Sequence, residues 1–108
     1  MGVLDEFFAG LEGFEWDEGN SEKNWLRHGV RQLEAEQALL SRPLIVALDI
    51  GHSREEPRFV ALGQTGAQRR LFMVFTIRGT RVRVISVRPM SAKEQGVYEQ
   101  AQATEADS

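Results

Sequence analysis

The amino-acid sequence predicts one small α+β domain, with an antiparallel sheet of about four strands and two or three helices. Three observations lead to this prediction. The chain has 108 residues, which is enough for a single modest core. Four β-rich runs follow one another through residues 44–88 with short connections, so they should pair antiparallel. Helical patterns flank these runs, so the helices should collect on one face of the sheet.

The first two elements are a helix and a strand. Residues 1–13 place apolar side chains at helical spacing among acidic ones, which predicts a short amphipathic helix in an N-terminal extension. Residues 14–17 alternate aromatic and acidic side chains, as a short strand does. The main domain should therefore span residues 14–100.

Two helices should follow this strand. Ser21 fits the N-cap of the first helix, which ends at Gly29. Residues 30–41 carry the apolar spacing of the second helix, and Pro43 marks its end.

The sheet is predicted from apolar runs bounded by turn residues. Residues 44–48 and 58–63 form two short strands. The strongest signal is residues 71–77, which are almost continuously apolar and rich in β-formers. Such a run is typical of a strand covered on both faces, so we predict that it is the central strand. A tight turn at residues 78–80 then leads into its partner.

Pro89 breaks the last strand, and the final helix begins soon after it. Ser91 and Glu94 form a capping box at its start. We predict that the helix frays after Gln100, because residues 101–108 have no apolar pattern and should form a disordered tail.

Charge is strongly segregated along the chain. The formal net charge is −3, yet residues 57–93 contain no Asp or Glu. The same stretch holds eight cations: Arg58, Arg69, Arg70, Arg78, Arg81, Arg83, Arg88 and Lys93. Any one of these is more often a solvated strand end, but a cationic surface of this size favours a polyanionic partner.

The strand at residues 81–88 carries several of these arginines among apolar neighbours. Simple alternation places Val84 and Arg88 on one face, and Arg83 and Val87 on the other. An arginine on a packed face loses hydration unless it contacts an anion or an aromatic ring. These side chains are therefore candidates for binding an anionic ligand.

Composition excludes several classes of function. The chain contains no cysteine, which excludes disulfides, thiolate metal sites and a cysteine nucleophile. Its two histidines, His28 and His52, lack the spacing of metal ligands, so we predict neither a metal nor another cofactor. No apolar run approaches the roughly 20 residues of a membrane span, and the N-terminus lacks the features of a signal peptide. We expect a cytoplasmic protein that does not contact membranes.

Three ordered blocks of residues carry a resemblance to a known family. Phe14 to Val30 contains F-x-W-D, N and R-H-G-V. His52 to Gly63 contains H-S-x-x-E-x-R-x-x-x-x-G, and residues 76–98 contain T-x-R-G, R-x-I-S-x-R and E-x-x-x-Y. Together they resemble the BrnT-type ribonuclease toxins of bacterial type II toxin–antitoxin systems, whose fold is similar to that of the RelE-like toxins. Three blocks in order are much more specific than one short motif.

The resemblance implies a metal-independent endoribonuclease that inhibits translation. It also implies that a ribbon-helix-helix antitoxin neutralises the toxin, and that DNA is bound only indirectly, through this antitoxin. Asn20 and Gln95 stand where members of the family often carry a cation.

On this resemblance, the expected catalytic residues are a phosphate clamp and a proton-transfer group. Arginine suits the clamp because its planar fork matches phosphate oxygens. His28 is the first candidate for proton transfer, and Tyr98 is the second. The clamp candidates are Arg58, Arg78, Arg83 and Arg88. Further RNA contacts are expected from Arg27, Arg69, Arg70, Arg81 and Lys93.

Two other functions compete with this hypothesis. The arginine-rich sheet could belong to a non-catalytic module that captures an antitoxin-like protein. Direct DNA binding is a poorer alternative, because no helix concentrates basic residues for a major groove.

Overall fold

A computed structural model describes residues 12–16, 23–25, 27–49, 51 and 56–106. Residues 1–11 of the predicted N-terminal helix, the Ser21 cap and His52 lie outside the described residues, and Gly13, where that helix was predicted to end, begins the first strand. The strands are β1 (Gly13–Glu15), β2 (Ile45–Leu48), β3 (Phe59–Gln64), β4 (Arg70–Arg78) and β5 (Arg81–Pro89). The helices are α1 (Gln32–Leu39) and α2 (Ala92–Ala106), and residues 23–25 and 27–28 are also helical. The chain is thus an α+β domain, as predicted.

The five strands form one sheet in the order β1-β5-β4-β3-β2. Strands β2 to β5 pair antiparallel with their sequence neighbours, and β4 is central, as its apolar run predicted. The sheet has one strand more than predicted, because β1 joins the outer side of β5 in parallel. β1 and β2 are the two edges.

The main core lies between one face of the sheet and α1. Ala38 and Leu39 pack there on buried residues of the central strands, including Met73, Phe75 and Val84. Gly63 lets the helix approach closely, since a Cβ at this position would clash with the carbonyl oxygen of Ala38.

The opposite face of the sheet is covered by α2. Tyr98 is fully buried and packs in a second cluster with Leu62 and Met90, against Phe72 of β4. The expectation that the helices collect on one face is therefore wrong. An apolar central strand buries both of its faces, and each face needs its own helix.

Helix α2 is longer than the sequence predicted. It continues to Ala106 instead of fraying after Gln100. Gln102 explains this, because its amide donates to Gln64 Oε1 and its Oε1 accepts from Arg70 Nη2. These polar contacts fix the last turns of the helix to the sheet where apolar spacing is lacking.

Candidate functional site

A polar pocket of about 210 Å³ opens beside the β4–β5 turn, on the same sheet face as α2 but on a part of it that α2 does not cover. Its lining residues come from the segment before β3, the end of β4 and the start of β5. They are Glu56, Arg58, Thr76, Arg78, Arg83 and Ile85.

The β4–β5 register sets which side chains reach this pocket. Thr76 pairs with Arg83, and Phe72 pairs with Arg88, so all four point to the same face of the sheet. A β-bulge makes this possible, because Ile85 is an extra residue between the positions opposite Val74 and Phe75.

The bulge corrects the face assignment that simple alternation predicted for β5. Val84 and Val87 are both buried in the α1 core although they are three residues apart. Arg83 and Arg88 accordingly share the other face. Beyond the bulge, every side chain of the strand is shifted to the face opposite its predicted one.

Two carboxylates hold the pocket arginines in place. Glu56 accepts two hydrogen bonds from Arg78, at 3.0 Å from Nε and 3.0 Å from Nη2. Glu15 on β1 accepts one at 3.2 Å from Arg83 Nη1. Thr76 donates to the carbonyl oxygen of Pro57 at 2.6 Å, which anchors the segment that carries Glu56 and Arg58.

These ion pairs leave the pocket with a positive balance, with three guanidinium groups against two carboxylates among the described residues. The hydrogen-bonded Arg78 guanidinium lowers the pKa of the Glu56 carboxyl, and the charges of Arg83 and Arg58 lower it further. Glu56 is therefore ionised at neutral pH and lies within the field of all three arginines.

The pocket contains three of the four predicted clamp arginines: Arg58, Arg78 and Arg83. Arg81, predicted to contact RNA, is exposed directly opposite Arg78 at the end of the hairpin. The structure therefore brings three of the predicted clamp arginines together, and their role in binding RNA stays a prediction.

Arg88, the fourth predicted clamp residue, fastens α2 to the sheet instead. It donates to both carboxylate oxygens of Glu94 at 2.8 Å, and its guanidinium lies 4.0 Å from the centre of the Phe72 ring. The Arg88 hydrogen bonds lower the pKa of Glu94 to about 2. Arg88 therefore lies outside the pocket that holds the other three clamp candidates, and in this structure it holds α2 on the sheet.

Tyr98 is also a structural residue. Its side chain is fully buried, and its hydroxyl donates to the carbonyl oxygen of Pro43 at 2.7 Å. Burial raises the pKa of this hydroxyl. Because the ring does not reach the surface, the expectation that Tyr98 transfers a proton to or from RNA does not hold.

His28 lies at the other end of β4 from the pocket. Its carbonyl oxygen accepts from Arg69 Nη2 at 3.0 Å, and Arg69 directly precedes β4, whereas Arg78 is its last residue. A strand of this length separates its ends by about 26 Å. The structure therefore does not bring His28 together with the predicted clamp.

The remaining predicted RNA contacts are spread over the surface. Arg69 bonds Gly29 O and Glu34 in addition to His28 O, and Arg70 bonds Gln64, Glu99 and Gln102. Both stabilise the fold. Arg27 and Lys93 are exposed, on the helical segment before α1 and at the start of α2.

Sequence reasoning missed the acidic side of the pocket, formed by Glu15 and Glu56. A signal for Glu56 was present, because it is the acidic residue of the H-S-x-x-E-x-R block, two positions before Arg58. In the part of the chain that the structure describes, no three His, Cys, Asp or Glu side chains are grouped to hold a metal ion. The helices described there are too short or too polar to cross a membrane.

Comparisons with known proteins agree with this architecture. A family model described as the ribonuclease toxin, BrnT, of type II toxin–antitoxin systems matches residues 16–94. The 1.1 Å crystal structure of the Brucella abortus ribonuclease toxin BrnT is 24% identical, with a TM-score of 0.53, and the match covers 73% of this chain and 96% of that one. At this identity the structural match shows a shared fold. A search of curated proteins found no match.

Proposed function

The chain belongs to the BrnT family of ribonuclease toxins of type II toxin–antitoxin systems, and from this we propose that it is an endoribonuclease that cuts RNA at the arginine pocket. Membership of the family implies an RNA substrate and an antitoxin partner. The proposal goes further by assigning the reaction to Glu56, Arg58, Arg78 and Arg83.

The observation that carries the proposal is the carboxylate of Glu56 among three guanidinium groups. Arg78 already binds it through two parallel hydrogen bonds, the geometry in which arginine also binds phosphate. A phosphodiester entering the pocket can take these donors from Glu56. The exchange would leave the carboxylate beside the phosphate, free to accept a proton.

The proposed reaction is attack of a ribose 2′-hydroxyl on the adjacent phosphorus. Glu56 accepts the proton of the 2′-hydroxyl, and the bond from phosphorus to the 5′-oxygen breaks. The products are a 2′,3′-cyclic phosphate and a 5′-hydroxyl, whose proton comes from water. The pocket arginines stabilise the charge that builds on the phosphate oxygens, and each such contact contributes about 3 kcal/mol, or roughly a hundredfold in rate.

Cleavage of labelled single-stranded RNA in EDTA tests the proposal. The wild-type chain should produce fragments, because guanidinium groups rather than a metal ion supply the positive charge. Glu56→Gln keeps the size of the side chain but removes its basicity, and it should lower the rate about a hundredfold. Glu105→Gln makes the same change at an exposed carboxylate in the last turn of α2, outside the pocket, and it should cleave as wild type. Equal rates for all three proteins would overturn the assignment.

In the cell, this activity would inhibit translation by cutting transcripts in the cytoplasm. We expect a ribbon-helix-helix antitoxin to neutralise it, and the complex to contact DNA through that antitoxin. Induction of the gene alone should stop growth, and co-expression of the neighbouring open reading frame should restore it. Continued growth of a strain that contains folded, RNA-cleaving protein would contradict this part of the proposal.

A specific observation supports a second function, a non-catalytic module that binds an acidic protein segment. Arg78 and Arg83 are each paired with a carboxylate of the chain, so the pocket already accommodates the group that such a segment would offer. Intact RNA in the EDTA assay, together with tight capture of a small acidic partner, would favour this function over cleavage.

A further inference from the structure

The outer edge of β2 is an unprotected strand edge. β2 is last in the sheet order, and among the described residues no strand pairs with its outer side. Its sequence, Ile45-Val46-Ala47-Leu48, contains no charged residue and no proline. Natural edge strands usually carry such residues to prevent pairing with other chains.

The β2–β3 register shows which backbone groups face outward. The amide of Asp49 donates to the carbonyl oxygen of Arg58 at 2.7 Å, so this pair is hydrogen-bonded. Hydrogen-bonded and non-hydrogen-bonded pairs alternate along an antiparallel ladder. Val46 and Leu48 are therefore in non-hydrogen-bonded pairs, and their N–H and C=O groups point away from β3.

Apolar surface adjoins this edge on both faces of the sheet. On the α2 side, Ile45, Val97 and Ala101 line a groove of about 530 Å³, and Val97 is 47% exposed. On the α1 side, Leu48 is 51% exposed. An added strand places alternate side chains on the two faces, and here each face offers it an apolar contact.

The charge around the groove indicates the chemistry of its occupant. Glu105 lines the groove, and the sequence from Glu94 to the C-terminus contains acidic residues but no Lys or Arg. A second copy of this chain would bring the same acidic surface, and RNA would bring negative charge to an apolar groove. A basic protein segment fits better than either.

We propose that β2 receives an extended segment of the antitoxin as a sixth strand of the sheet. The segment has a short apolar run, with a lysine or arginine that meets Glu105. This inference rests on the family's antitoxin partner and is independent of the arginine pocket, which lies on the β4–β5 side of the sheet.

Backbone amide exchange tests the pairing directly, with the product of the neighbouring open reading frame as the probe. In the free chain, the amides of Val46 and Leu48 should exchange rapidly. In the co-purified complex they should be protected at least tenfold. If the complex protects the amides of Val97 and Ala101 but not those of Val46 and Leu48, a helix occupies the groove. That result would overturn the strand proposal.

Variants of Leu48 separate the backbone contact from the side-chain contact. Leu48→Pro removes an outward N–H and leaves the β3 ladder intact, as proline allows on an edge strand. It should weaken antitoxin binding about tenfold beyond Leu48→Ala, which keeps the N–H. Equal affinities for the two variants would contradict the proposal.

Variants of α2 test the groove without altering the strand. Val97→Glu puts a charge on an exposed groove residue and should weaken binding at least tenfold. Gln95→Glu makes the same charge change on the other side of the helix, where it lines a different pocket, and should bind as wild type. Wild-type binding by Val97→Glu would refute the proposal even if the Leu48→Pro chain does not fold.

Two further outcomes are informative. A homodimer of the free chain that Leu48→Pro dissociates would assign the edge to a second copy and overturn the antitoxin proposal. RNA cleavage by the free Leu48→Pro and Val97→Glu chains should equal that of wild type. Failure of RNA cleavage in all proteins, with binding behaving as expected, would reject the nuclease and leave this interface intact.

Discussion

Two of the three arginines on β5, Arg83 and Arg88, should respond to alanine substitution in opposite ways. Arg83 and Arg88 share a strand and a face, but Arg83 lines the pocket and Arg88 fastens α2. We expect Arg83→Ala to abolish most RNA cleavage and Arg88→Ala to lower stability. Each variant is therefore the control for the other.

The loss of stability expected for Arg88→Ala follows from the ion pair between Arg88 and Glu94. The fall of the Glu94 pKa from 4.5 to about 2 corresponds to about 3 kcal/mol, to which the hydrogen bonds from Arg88 contribute most and those with Ser91 part of the rest. The Arg88 side chain is 36% exposed, so solvent screening reduces this to about 1–2 kcal/mol. For a domain of this size, such a loss lowers Tm by about 5–10 °C.

For Arg83, we expect a small effect on stability and a large effect on catalysis. Its hydrogen bond to the partly exposed Glu15 contributes at most about 1 kcal/mol to stability. Loss of a contact to the transition state costs about 3 kcal/mol, or roughly a hundredfold in kcat. Thermal unfolding and single-turnover RNA cleavage, measured on both variants, separate the two effects. A folded Arg83→Ala chain with wild-type kcat, or an Arg88→Ala chain that is stable but inactive, would refute the reasoning.

Four further substitutions test the fold. Gly63→Ala should lower the free energy of unfolding by more than about 2 kcal/mol, because the new Cβ would clash with the Ala38 carbonyl. Gly96 has open space around it in α2, so Gly96→Ala should raise the free energy of unfolding by about 0.5–1 kcal/mol. Urea unfolding measures both changes. The Glu94 carboxylate stabilises the fold fully above about pH 4.5, and this contribution is lost as the pH falls towards 2; Glu94→Gln should therefore flatten the stability profile in that range. Tyr98→Phe should cost about 1 kcal/mol by leaving a carbonyl unsatisfied, yet leave cleavage per folded molecule unchanged.

The central strand and the three arginines of the pocket could be predicted because their signals are local. Residues 71–77 are apolar on both faces, and this alone places them in the middle of a sheet. The bulge at Ile85 could not be predicted in this way, since it exists only relative to the strand opposite. It reverses the face of every residue beyond it, including Arg88.

The sequence also did not reveal which carboxylates pair with the arginines. The basic stretch contains no acidic residue, which suggested unpaired cations, but the carboxylates come from elsewhere in the chain. Glu15 reaches Arg83 from β1, and Glu34 reaches Arg69 from α1. These contacts between distant parts of the chain decide which arginines stabilise the fold and which line the pocket. The spacing of the arginines in the sequence does not indicate this difference.

The chemistry of the new RNA ends tests the central claim most directly. Purified wild-type chain and Glu56→Gln are incubated with a defined single-stranded RNA in EDTA, and the fragments are analysed by mass spectrometry. Attack by the 2′-hydroxyl within the arginine pocket predicts 2′,3′-cyclic phosphate and 5′-hydroxyl ends, formed about a hundredfold more slowly by Glu56→Gln. Intact RNA with the wild-type chain, or identical cleavage by both proteins, would contradict the account.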